Sequence, residues 1–441
     1  MGCNTDCKTG FPFMNLTKIL LAPALLLILC LIFPPELSLK LGSFRITLYR
    51  LILLIAFLPC LYRLLAGSCG KVVLADLMMI GHAAWVLVAL TANEGLATAA
   101  ESGGIYVIES LGAYLIARVY IRSFEDFQRL SLTIVVTVSV LMIFAIPESL
   151  TGNHFIREAF KSIFPSTVLP NPEPRLGIDR AYGPFDHPIL YGVFCASAFS
   201  MAFYIVGGYG RKSLPTILPA LAVVLATFFS LSGGPYIALF LQMSLIFWEK
   251  ITKNIRYRWF GPVVIVSILW MALELLSNRS PILVFVSYLS FSKNSGYARV
   301  RIFEYGIAEV ERHAFFGIGY AEWTRPSWMP DSVDNFWLLT AMRFGVPSVL
   351  FLLIAMLNLV FMISGQKKHD QDMVASRRAW GFTLAGMVLA GCTVSFWNSL
   401  FVLFFYIMGS GVWLTEQRSG ASQVRPKKVS ISQKAHSSTL F

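Results

Sequence analysis

Charge is what this sequence has least of. Asp, Glu, Lys and Arg make up 14% of its 441 residues and 56% are hydrophobic, against roughly 25% charged and roughly 45–50% apolar in a soluble domain. A water-soluble globule is excluded. Strict alternation of apolar and polar residues is also missing, which excludes a membrane β-barrel. The seven cysteines (Cys3, Cys7, Cys30, Cys60, Cys69, Cys195 and Cys392) avoid both long polar connections of the chain, so no disulfide framework or metal knuckle is implied. Acidic residues are outnumbered 24 to 36, leaving a net charge of +12. A multi-pass membrane protein gathers such an excess on its cytoplasmic side, so nucleic-acid binding is not implied. No cleaved signal peptide is expected, because the first apolar run leads straight into a second.

What the chain has in abundance is apolar runs of about 20 residues, each long enough to cross a hydrocarbon core of about 30 Å as a helix. Helices close their own backbone hydrogen bonds and are the natural spanning element. The runs fall near 15–34, 44–66, 72–92, 103–121, 130–148, 187–207, 214–231, 234–250, 259–277, 335–363, 379–396 and 398–415, about twelve spans. The expected fold is an all-α polytopic membrane protein with its membrane domain over 15–415. Among the short connections, Arg63 and Lys71, Arg118 and Arg122, Arg211 and Lys212, Lys250 to Arg258, and Lys367 to Arg378 share one side. That side is cytoplasmic, which also puts the 1–14 segment and the 416–441 tail there. The tail, basic and rich in Ser and Gln, is expected to be disordered.

Two connections, 149–186 and 278–334, are too long for turns, and both face away from the cytoplasm. In the first, 154–164 has the pattern of a short amphipathic helix with Phe155, Ile156, Phe160 and Ile163 toward lipid. The stretch then ends in RAYGPFDHPILYG, where Pro188 suits a helix start and His187 precedes it, open to a capping or a catalytic role. Between 214–231 and 234–250 the sequence FSLSGGPY leaves room for a tight turn. That turn is either a simple helical hairpin or a helix N-terminus facing an anion. In the second connection Val300, Phe303, Ile307, Val310 and Ala314 form one apolar stripe at helical spacing. Ser332, Asp334 and Asn335 then precede an apolar run, as helix caps do, and Asp334 is open to that role or a chemical one.

The second connection is the richest in functional groups, with Arg299, Arg301, Arg312, Arg325, Glu304, Asp331, Asp334, Tyr297, Trp323, Trp328 and Trp337. Guanidinium presents a rigid fork of donors matched to phosphate oxygens. Arginine in both outer connections, with no HExxH or DxD motif in either, points to a lipid-linked pyrophosphate bound without a metal or other cofactor. Tyr297, Trp323 and Trp328 are candidate sugar contacts, although Trp and Tyr also gather at bilayer interfaces.

Four blocks, RAYGPFDHPILYG at 180–192, SLSGGPYIALF at 230–240, ARVRIFEYGIAEVERHAFFGIGYAEW at 298–323 and SVDNFWLLTAMRFGVP at 332–347, resemble in order and spacing the O-antigen ligase/O-antigen polymerase superfamily. The resemblance is closest to its exopolysaccharide-polymerase members and covers roughly 175–350. It implies a metal-independent membrane glycosyltransferase of the C-type architecture in the bacterial cytoplasmic membrane. The implied reaction polymerises undecaprenyl-pyrophosphate-linked repeat units at the outer face, with a growing glycan or glycolipid as acceptor and chain-length and export proteins as partners. By this resemblance Arg180 and Arg299 bind the pyrophosphate, with Arg301 a second choice. Asp334-Asn335 stands where many ligases have His-Asn, and Ser232-Gly233 where they have Ser-Arg, which favours a polymerase over a ligase. The base is Asp334 or His187. A transporter is the main rival from another class, but the middle connection is short and charges within spans are few: Lys18, Arg50, Asp76, Glu109, Glu274 and Arg343. A non-catalytic assembly partner is a third reading.

Overall fold

The computed structural model describes residues 23–41, 44–164, 169, 172–208, 214–278, 281, 284, 293–365 and 370–416. The 1–14 segment, the start of the first span, most of 279–292 and the tail beyond 416 lie outside the described residues. The rest is almost entirely helical. Among the described residues, six helices are long and apolar enough to cross a membrane: α2 (Leu48–Leu65), α3 (Leu74–Glu94), α5 (Phe124–Thr151), α7 (Pro188–Val206), α13 (Val346–Ser364) and α15 (Asn398–Thr415). Shorter apolar helices cover Ile217–Phe228 and Phe260–Leu276. The chain is thus a multi-pass helical membrane protein.

Burial sorts these helices. The spanning window of α15 is 94% buried and that of α2 only 28%. Leu51, Leu54, Ile55 and Leu58 of α2 are left exposed, facing the hydrocarbon, while Leu400 to Met408 pack inside. Helix α4 (96–120) lies against α15 and is interrupted by two π-helical turns, Ala99–Gly103 and Ile108–Gly112. Two pairs of charges within the helices close on each other: Arg118 with Asp76 at 3.4 Å, and Arg50 with Glu109 at 2.7 Å. They tie helices to each other. Glu416, assigned from sequence to the tail, pairs with Arg118 and Arg122.

Several expectations need correction. Residues 44–47 do not begin a span. Ser38–Leu41 (β1) and Phe44–Thr47 (β2) form an antiparallel hairpin, closed where Arg45 donates to Ser38 Oγ and the Pro35 carbonyl. The run 335–363 is broken at Gly345, which has φ of 79°, into α12 (Phe336–Phe344) and α13. The amphipathic helix α6 (Phe155–Ile163) exists, but Ile156 packs against the core and Arg157 is buried. Arg157 is gripped by Glu36 at 2.8 and 2.9 Å and by Asp186 at 3.4 Å, so an ion-pair network outweighs the amphipathic pattern on that face.

The elements that hold the polar connections are α8 (Leu214–Phe228), α9 (Gly233–Ile251), α10 (Phe260–Leu276), α11 (Lys293–Arg312) and α14 (Gln371–Gly391). α7 and α9 pack closely, and Gly192 allows it: a Cβ there would lie 2.5 Å from both Ser230 Oγ and Pro235 Cγ. On α11 the buried face is Ile302, Gly306 and Glu309 rather than the stripe containing Ile307. Gly306 abuts Leu338 and Met342 of α12, and Glu309 is turned inward to accept from Arg312 and the Thr324 N–H.

Candidate functional site

The site is assembled from the end of α5. Its Pro147-Glu148-Ser149 terminus buries the Glu148 carboxylate, which accepts the Tyr182 N–H at 2.9 Å, the Gly183 N–H at 3.2 Å and His154 Nδ1 at 2.9 Å. Ser149 fixes the same loop through Asp179, and the Ala181 N–H reaches the Phe229 carbonyl at 2.9 Å. A buried carboxylate that satisfies backbone N–H groups fixes the turn at 180–183.

That turn aims Arg180, 5% exposed, at the connection between α8 and α9. Its Nη2 donates to Ser232 Oγ at 2.6 Å and its Nε to the Ser230 carbonyl at 3.4 Å. Arg175 Nη1 donates to the Leu231 carbonyl at 2.8 Å. The FSLSGGPY turn therefore holds two arginines through its backbone and one hydroxyl. Burial, then the nearby charge of Arg175, lowers the Arg180 guanidinium to about 10, so it stays protonated at neutral pH.

The second side of the site comes from α11 and α12. Arg299 shares a cleft with Ile302, Phe303, Asp334, Asn335, Leu338 and Cys392, enclosing about 220 Å³ of empty space that includes open solvent. The space actually enclosed is only about 10 Å³, no more than one water occupies, so the cleft as it stands is closed to a glycan. Burial lowers the proton affinity of Arg299; Asp334 opposes the change and Arg175 adds to it. The charge of Arg175 therefore acts on both Arg180 and Arg299.

Asn335, not Asp334, caps α12. Its side chain accepts the Leu338 N–H at 3.0 Å and donates to the Cys392 carbonyl at 3.0 Å, which leaves the Asp334 carboxylate out of the cap. Burial raises the proton affinity of that carboxylate, with Arg299 pulling it back. His187 is itself a cap: Nδ1 accepts the Ile189 N–H at 3.1 Å. In the neutral ring the proton then sits on Nε2. Burial and the charges of Arg180 and Arg175 push His187 down to about 4.

Other sequence candidates separate from these residues. Arg301 projects from a different face of α11, bonded to Tyr297 at 2.6 Å and Glu304 at 3.2 Å; two helical positions from Arg299, it cannot share that residue's direction. Trp323 is buried, with Nε1 donating to the Asp331 carbonyl at 3.0 Å, so its ring faces are used in packing rather than offered to a sugar. Tyr297 and Trp328 remain exposed.

Residues to which the sequence reading gave no role in the site complete it. Besides Arg175, Ser232 and Glu148, the link between α14 and α15 contributes Trp397, whose ring lies 6.2 Å from that of His187, and Asn398, which donates to Asp186 at 2.8 Å. Backbone strain marks the same region. Among the described residues, the non-glycine residues with positive φ are Leu176 (54°), Leu231 (45°) and Asn398 (50°). The first adjoins Arg175, the second sits in the turn that holds Arg180, and the third bonds the neighbour of His187. Each costs of order 1–3 kcal/mol, and such strain clusters at functional sites. No protein-family model matches this chain, and no curated protein matches it.

Proposed function

We propose that this protein polymerises undecaprenyl-pyrophosphate-linked oligosaccharide repeat units at the outer face of the bacterial cytoplasmic membrane. In this reading both termini are cytoplasmic and the chain crosses about twelve times. What supports it is that Arg175 acts electrostatically on both Arg180 and Arg299, with Arg299 sharing a cleft with the partly buried Asp334. Asp334 and Glu173 offset part of this positive charge, and a lipid diphosphate would supply further acceptors for the guanidinium forks.

The reaction is a displacement at the anomeric carbon of the donor. The acceptor hydroxyl oxygen bonds to that carbon, the bond from carbon to phosphate oxygen breaks, and its electron pair leaves with undecaprenyl pyrophosphate. Arg180, Arg175 and Arg299 stabilise the charge that develops there. Asp334 takes the hydroxyl proton: its carboxylate is free of the helix cap, and its raised proton affinity makes it a better base than an exposed aspartate. His187 is unsuited to that task, since the cap occupies Nδ1 and Nε2 already carries the proton. Its Nε2–H serves as a hydrogen-bond donor. The growing glycan lies outside the small cleft, along the exposed Tyr297 and Trp328.

Purified protein in nanodiscs, supplied with lipid-linked repeat units and no other protein, should yield longer glycan and free undecaprenyl pyrophosphate. Unchanged glycan length under these conditions would refute the polymerase, and transfer only to a lipid A core would assign a ligase instead.

A further inference from the structure

A second cavity lies away from the cleft of Arg299, between β2, the start of α2 and the π-helical opening of α4. It encloses about 510 Å³ of empty space, open solvent included, with Arg45, Arg50 and Glu101 among its lining residues. Its other walls are apolar, among them Ile46, Leu54 and Ile105. Leu54 is also part of the exposed face of α2, so the apolar end of the cavity continues onto the lipid-facing surface.

The charges here have an unusual arrangement. Arg50 is committed to Glu109 at 2.7 Å, and Tyr49 donates to the same carboxylate oxygen, so that pair is internally neutral. Arg45 and Glu101 line the same cavity, yet no ion pair joins them among the described residues. Opposite charges that share a cavity without closing on each other leave room for a ligand that bears both signs. The π-turn Ala99–Gly103 that carries Glu101 costs helix regularity, and such turns recur at functional sites. A Cβ on Gly104 would meet nothing within 4 Å, so the space beside it is unfilled.

We infer that this cavity binds a membrane phospholipid whose head group carries an ammonium as well as a phosphate. The phosphate is received by Arg45, through the N–H groups not already given to Ser38 and Pro35, the ammonium by Glu101, and the start of an acyl chain by Ile46, Leu54 and Ile105. The inference does not rest on the proposed polymerase reaction.

Native mass spectrometry of the full-length protein, titrated with phosphatidylethanolamine or phosphatidylglycerol of identical acyl chains, tests it. The wild type should bind the ethanolamine lipid about tenfold more tightly, the scale of one charge-assisted hydrogen bond. Glu101→Gln should abolish that preference while retaining lipid binding. Gly104→Phe should remove one lipid adduct, and Gly104→Ala, which fits the open space, should keep it and report on folding. Equal affinity for the two lipids in the wild type, or a preference that survives Glu101→Gln, would overturn the head-group assignment. An unchanged adduct count in Gly104→Phe would overturn the site, and tighter binding of an undecaprenyl phosphate than of either phospholipid would overturn the ligand class.

Discussion

Arg180 reaches Ser232 across 2.6 Å, so the loop before α7 and the turn before α9 meet through a guanidinium and a hydroxyl. The Ser232 hydroxyl donates to the Ser230 carbonyl at 2.9 Å, which leaves its oxygen lone pairs to accept from Arg180. Ser232→Ala should deprive a buried cation of an acceptor, a loss of about 1–3 kcal/mol. The expected result is about a tenfold fall or more in turnover of lipid-linked repeats at unchanged protein level. An unaltered rate would mean that the contact does not position Arg180.

Replacing Arg299 by Lys keeps the charge and loses the fork. Polymer formation should fall by about 10²-fold or more, the scale of a lost transition-state donor. Polymer of normal length and amount from Arg299→Lys would remove this residue from the site.

Asp334 and His187 are separated by one pair of substitutions. Asp334→Asn should cost about 10²–10⁴ in rate, as loss of a general base does. His187→Asn preserves a cap acceptor and should stay within about tenfold of wild type. The reverse ranking, measured by single-turnover assay, would reassign the base. With Asp334 as base, activity should fall as pH drops through its raised proton affinity.

The same two groups give opposite pH signatures in stability. Asp334 has a folded-state pKa above its ordinary 3.8, so its contribution is favourable when protonated and is lost as pH rises through the folded value. Asp334→Asn should therefore raise the thermal midpoint at neutral pH. His187 is depressed from 6.5 to about 4; its contribution is present above 6.5 and is lost as pH falls toward 4. His187→Asn should flatten stability across that interval. Thermal unfolding in detergent from pH 4 to 8 reads both, and matching slopes for the wild type and variants would contradict these assignments.

Glu148 supports the site without facing it. Glu148→Gln presents an amide NH₂ to N–H groups that need acceptors, at a cost of about 1–3 kcal/mol. A lower thermal midpoint together with reduced activity is expected, and an unshifted midpoint would show that the 180–183 turn is held elsewhere.

The long helices are legible in the sequence because apolar runs such as 72–92 and 187–207 match the observed α3 and α7 within a few residues. The hairpin at Ser38–Thr47 is not, since the apolar run of α2 extends back over Phe44 to Thr47 and hides the strand. Pattern reading brings Asp334 to the start of α12 but cannot say that the neighbouring Asn335 takes the cap, because both residue types are favoured caps. Trp323 and Trp328 look alike in sequence, yet packing buries one and exposes the other. Arg175 carries no local signal that distinguishes it from Arg157. Tertiary partners decide their roles: Glu36 and Asp186 neutralise Arg157, while Arg175 donates to the Leu231 carbonyl and its charge acts on Arg180 and Arg299.

The central claim is that Arg180 and Arg299 hold one diphosphate between them. Its most direct measurement is the affinity of purified protein for undecaprenyl pyrophosphate against undecaprenyl monophosphate, in the wild type, Arg180→Gln and Arg299→Gln. The wild type should prefer the pyrophosphate by about tenfold or more, and each variant alone should lose most of that preference. A full preference surviving in either variant would contradict the shared grip.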